Sequence, residues 1–160
     1  MKKRCKLLSV LVIAGLTLGS MQVSAADSRL GTVVDGSLLL DDKAAEYRVD
    51  SLARGSILSN GTGKITVTGA RTVNATGTTK AHYAVDRVTV NLFVQKLSNN
   101  TWVNAVTVPS KTLYNNYYVS QSKSYTVSGG YYYRVKGNHI AVDGDIYEST
   151  ASATDGIWID

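Results

Sequence analysis

The residues with the most chemical reach lie in one stretch, "GGYYYRVKGNHI" (129–140), which follows two glycines with Tyr131, Tyr132 and Tyr133, then Arg134, Lys136 and His139. Aromatic rings beside a guanidinium are what a sugar or protein ligand stacks on, and a histidine is the commonest general base. The chemistry needs partners, however, and the sequence supplies few. A zinc site takes three or four ligands at set spacing; His82 and His139 stand far apart, and the single cysteine, Cys5, lies at the amino end. "DGD" (143–145) with Glu148 offers carboxylates for calcium. An EF-hand needs oxygens at alternate positions through a longer loop, so Asp-Gly reads as a hairpin turn. No serine sits in G-x-S-x-G, and there is no P-loop or dinucleotide fingerprint. Nothing in the sequence pairs Asp86, Asp143, Asp145 and Glu148 across a cleft, as glycosidase chemistry requires. The expectation is a protein without enzymatic activity, metal or cofactor.

What remains is tyrosine. The chain has ten Tyr against one Phe. Most of the tyrosines fall between Tyr114 and Tyr147, including those of "LYNNYY" (113–118). A buried tyrosine hydroxyl needs a partner, so a sequence building only a core would use more Phe. Rigid amphipathic rings suit partner or sugar binding. If a binding face exists, its candidates are Tyr114, Tyr117, Tyr118 and Tyr132, with Arg134 as a polar clamp. The competing reading makes the triplet part of one strand. Tyr131, Tyr133, Val135, Gly137 and His139 then share the core face, while Tyr132, Arg134 and Lys136 share a solvent face. One tyrosine would bond back to backbone at a corner, as in immunoglobulin-type sandwiches.

The elements that would position these residues are strands. Ile65 and Val67 alternate with Lys64, Thr66 and Thr68, and Val88, Val90, Leu92 and Val94 alternate with polar neighbours in "RVTVNLFVQKL" (87–97). "NGTG" (60–63) and "NN" (99–100) read as turns, and Pro109 as the end of "TWVNAVTV" (101–108). "SYTV" (124–127), "YYYRVKGNHIAV" (131–142) and "IYESTASATDGIWI" (146–159) follow. Seven or eight strands with no helix imply an all-β fold: an antiparallel β-sandwich of immunoglobulin-like type, with a small β-barrel as the alternative.

Residues 1–25 read as a signal peptide. Lys2, Lys3, Arg4 and Lys6 precede the apolar run "LLSVLVIAGLTL" (7–18), and "VSA" (23–25) supplies a cleavage site. The run falls short of the roughly 20 apolar residues a membrane span needs. Four of the 17 Lys and Arg leave with it, so 13 face 12 Asp and Glu. The remaining charge is near neutral and argues against nucleic acid as a partner, and no stable membrane insertion is expected after cleavage. Residues 26–53 read as a linker or partly ordered arm, and 54–160 as the β-sandwich domain.

"DGSLLLDD", "RGSILSNGTGKITVTGARTVNA", "GGYYYRVKGNH" and the ending "TDGIWI" resemble a family of small secreted Gram-positive bacterial proteins, a domain of unknown function. The resemblance covers nearly all the chain after residue 25. It implies export and an all-β fold, and no catalytic residue or substrate. The functional expectation is therefore a secreted, non-enzymatic domain binding a cell-wall polymer, glycan or extracellular protein. The alternatives are a small secreted antagonist or toxin acting on neighbouring cells, and a hydrolase whose site is assembled from scattered residues.

Overall fold

The computed structural model describes residues 33–34, 37–50 and 55–160. The signal peptide expected over 1–25 lies outside the described residues, as do 26–32, 35–36 and 51–53 of the expected arm. The described chain is all-β. Nine strands run β1 (Val33–Val34), β2 (Ser37–Leu40), β3 (Ala44–Asp50), β4 (Leu58–Gly69), β5 (Thr72–Ser98), β6 (Thr101–Thr126), β7 (Tyr131–Asp143), β8 (Ile146–Ala153) and β9 (Gly156–Ile159). They form one sheet in the order β1-β2-β9-β7-β5-β4-β3, with β6 added on β5 and β8 on β7. Every pairing is antiparallel except that of β2 with β9, which is parallel.

The expected immunoglobulin-like sandwich of two sheets is replaced by this single curled sheet, an open half-barrel. The reason is the length of two strands. β5 has 27 residues and β6 has 26, and they pair along almost their whole length. The first half of β5 carries β4 on its other edge, and the second half carries β7. Between Lys80 and Val85 the register with β6 breaks. Here the strand bends, and its core-facing residues switch from odd positions (Val73, Ala75, Gly77, Thr79, Ala81) to even ones (Val88, Val90, Leu92, Val94). The halves then face each other. A Cβ on Gly77 would stand 2.5 Å from Leu92 Cδ2, so glycine is what lets the walls approach. One ribbon thus lines both sides of a core of Val, Ile, Leu and Ala, with Tyr133.

Side chains brace the two margins of the curl. Within β6, Lys111 Nζ donates to the Ser120 carbonyl at 2.8 Å, and Gln121 Nε2 to the Pro109 carbonyl at 2.8 Å. Nine residues of straight strand would span about 30 Å, so these bonds exist only because β6 folds back on itself. At the opposite margin, Glu148 of β8 accepts the amides of Ser56, Ile57 and Leu58 at 2.6, 3.1 and 2.7 Å.

Three local expectations change. "NGTG" lies inside β4, where its residues pair with β3 and β5, because two flanking strands hold the glycines extended. Pro109 does not end its strand. It sits at a register break on the outer edge of β6, where no ladder needs its missing N–H. Within the segment read as an arm, Leu39 and Leu40 pair with β9 and 44–50 with β4.

Candidate functional site

"LYNNYY" is the bend of β6. Asn115 takes a left-handed conformation (φ 49°), one that asparagine tolerates better than most residues. The side chain of Asn116 accepts the Tyr118 amide at 3.1 Å, an Asx turn that fixes the corner. This corner and the register break in β5 bend together. The result is a ridge on the convex side: Tyr114 is 70% exposed, Tyr117 52% and Tyr118 42%. Directly opposite in the ladder, Tyr114 faces Arg87 and Tyr118 faces Lys80. Both cations are exposed. Val142 also pairs with Arg87, and Tyr147 with Val142, so one outward row runs Tyr114–Arg87–Val142–Tyr147 over about 14 Å. Three predicted residues are therefore exposed at one corner, and sequence reasoning missed Arg87, Lys80 and Tyr147. Only the strand register exposes them.

Tyr132 and Arg134 are elsewhere. Both lie on the outer face of β7 as predicted, but each is only 4% exposed, which corrects the expectation of a solvent face there. Leu39, brought in by β2, packs with Trp102 and Tyr132, with Leu97 and Trp158 beside them. The Tyr132 ring meets Trp158 edge-on at 5.0 Å between centroids. The Arg134 guanidinium lies 4.4 Å from the Trp102 ring centroid, and its Nε donates to Gln95 Oε1 at 2.9 Å. Gln95 in turn donates to Asn104 Oδ1. Arg134 is a packing residue, not a clamp. Tyr133, buried on the core face, donates its hydroxyl to the Ser128 carbonyl at 2.8 Å, the backbone bond expected of one of the three tyrosines.

A family of unknown function, DUF6147, matches residues 33–156. The chain belongs to this family. No curated protein matches the sequence. Among solved structures, the chain is similar to the sporulation control protein Spo0M of Bacillus subtilis, with 11% identity and a TM-score of 0.31. The similarity covers 74% of this chain and 50% of that protein, so the chain spans about half its length.

In this DUF6147 member the most enzyme-like grouping is sealed in the core. Ser152 Oγ lies 2.8 Å from His139 Nε2, and Thr79 Oγ1 lies 3.0 Å from Nδ1. Thr79 spends its proton on the Thr89 carbonyl, so Nδ1 must donate to Thr79 and Nε2 must accept from Ser152. A serine, a histidine and an orienting group are in nucleophile order, yet Thr79 and His139 are 0% exposed and Ser152 2%. The ring fills space left by Gly61 and Gly137; a Cβ on Gly61 would overlap it. Burial pushes the His139 pKa down to about 4, against a smaller upward pull from the Thr78 carbonyl. The imidazole is therefore neutral at pH 7, and no substrate reaches it.

Glu148, Asp86 and Asp143 each hold a partner within the fold. For Glu148, desolvation pushes the pKa up, but the hydrogen bonds from the Leu58, Ser56 and Ile57 amides outweigh it and hold the group below its usual range. Asp86 accepts the Gly144 amide at 2.9 Å, and Asp143 accepts the Tyr83 hydroxyl at 3.2 Å. Among the described residues no three His, Cys, Asp or Glu side chains gather as metal ligands.

Proposed function

We propose that this chain is an exported, non-enzymatic binding domain that holds a cell-wall polymer, glycan or extracellular protein on the tyrosine ridge of β6. The observation that carries it is the exposure of Tyr114, Tyr117 and Tyr118 together at a corner whose shape Asn115 and Asn116 fix. Three large rings held in water on a rigid turn contribute nothing to the core, whereas they give a ligand contact area with little entropy to lose. The amino-terminal sequence supports export, and the buried state of the Ser152–His139 pair supports binding without turnover.

The test is retention of the domain, residues 26–160, on purified cell wall and on a glycan array, beside the triple variant Y114S/Y117S/Y118S. Retention that the variant loses supports the reading. Equal retention of both proteins moves the site elsewhere, and no retention with no protein partner removes the proposal.

A further inference from the structure

The geometry points to an anionic glycan as the ligand of the ridge: sugar faces on Tyr114, Tyr117 and Tyr118, and negative charges on Arg87 and Lys80. This rests on the reading of the ridge as the binding face and specifies its chemistry. In the ladder each outer tyrosine stands against one exposed cation, Tyr114 against Arg87 and Tyr118 against Lys80. Among the described residues neither cation is held in an ion pair. Asp86, the chain neighbour of Arg87, accepts the Gly144 amide, and Asp143 accepts the Tyr83 hydroxyl.

Elsewhere in the molecule cations are placed over rings. Lys96 Nζ is 4.2 Å from the centroid of Tyr131, and Arg134 covers Trp102. At the ridge, by contrast, rings and charges lie side by side in the ladder, Tyr114 beside Arg87 and Tyr118 beside Lys80. A ligand that uses both needs flat, weakly apolar faces with anions between them. A repeating acidic sugar polymer has that pattern. An apolar peptide would ask for a hydrophobic pocket, but the outward rows that flank the ridge carry hydroxyls: Thr89 with Thr112 on one side, Thr78 with Ser120 on the other. Thr89 is buried and bonded to Thr112, and Thr78 is bonded to Thr62, so the half-buried Thr112 and Ser120 hydroxyls are the ones a glycan can reach.

Three probes decide the matter by titration calorimetry with residues 26–160: polygalacturonate, its fully methyl-esterified form, and poly(glycerol phosphate). Polygalacturonate is expected to bind, the neutral ester far more weakly, and poly(glycerol phosphate), which carries charge but no sugar face, more weakly than polygalacturonate. For two charge contacts, affinity should fall roughly sevenfold between 50 and 200 mM salt. R87Q/K80Q should flatten that salt dependence while its melting temperature stays that of the unaltered protein. Y114S/Y118S should lose binding at all salt concentrations.

Equal affinity for acid and ester, or affinity indifferent to salt, overturns the anionic assignment and leaves the ridge as a neutral-glycan site. Failure of all three probes together with an empty glycan array overturns both this inference and the reading beneath it. A protein captured through the same tyrosines would keep the ridge and overturn the glycan.

Discussion

The Thr79–His139–Ser152 chain and the Tyr114–Tyr118 ridge are opposites built on the same long hairpin and its neighbours. In the first, residue types associated with catalysis have no exposure, and every ring nitrogen has a partner. In the second, residue types that usually fill a sheet stand in water at a fixed corner. The lesson is that accessibility, not residue type, separates structural polar groups from functional ones. A buried polar cluster raises the cost of every change around it. An exposed ridge can change while the fold stays as it is.

That contrast is open to attack at several points. The severest is His139→Ala. It empties a glycine-lined site and strands Ser152, and should cost about 3–5 kcal/mol in urea denaturation at pH 7; a loss under about 1 kcal/mol would show the cluster to be slack. Acid should act on the same group. The folded pKa of about 4 lies below the ordinary 6.5, so the unfolded chain takes up the proton first as pH falls. The stability from neutral His139 is complete above pH 6.5 and is lost toward pH 4, about 3 kcal/mol in all. A pH series of melts would read it, and His139→Leu should be less stable at pH 7 yet flat through that window.

Gly61→Ala puts a methyl group into the imidazole and should cost about 1–3 kcal/mol, checked by the same denaturation. Glu148→Gln removes the charge but keeps an acceptor for the 56–58 amides. A loss of about 1 kcal/mol is expected in thermal melts. Smallest of all should be Y114S/Y117S/Y118S, within about 0.5 kcal/mol of the unaltered protein although binding is lost. A large drop in melting temperature there would make the ridge a structural element and erase the contrast.

Much of the fold was legible wherever alternation is regular. Val88, Val90, Leu92 and Val94 point to one face as read, and Tyr133, Val135 and His139 to the core face of β7. Residues 74–86 carried no readable strand, because the core-facing positions are Ala75, Gly77, Thr79 and Ala81, too small or polar to show an alternation, and the parity changes at the bend beyond them. The same bend turned an expected sandwich into one curled sheet.

At the site, Tyr114, Tyr117 and Tyr118 were legible from the excess of tyrosine over phenylalanine in this part of the chain. Arg87, Lys80 and Tyr147 were not, since cross-strand partners depend on register and register on a long hairpin whose course no local pattern states. Tyr132 and Arg134 were misplaced for a different reason. Tyr132 is covered by Leu39 of β2, which comes from far earlier in the chain and joins by a parallel pairing, and Arg134 by Trp102 of β6.

The fold-back of β6 carries one more consequence. Because a single ribbon makes both walls, neither wall can peel away as an independent piece; separating them means tearing the ladder it shares with β5. Slowly exchanging backbone amides should accordingly be spread across both walls at similar protection, with loss of one accompanied by loss of the other. The braces from Lys111 and Gln121 also occupy carbonyls that an outer strand would otherwise offer to a passing chain. With that rim already engaged, edge-to-edge pairing between copies has fewer free acceptors to use.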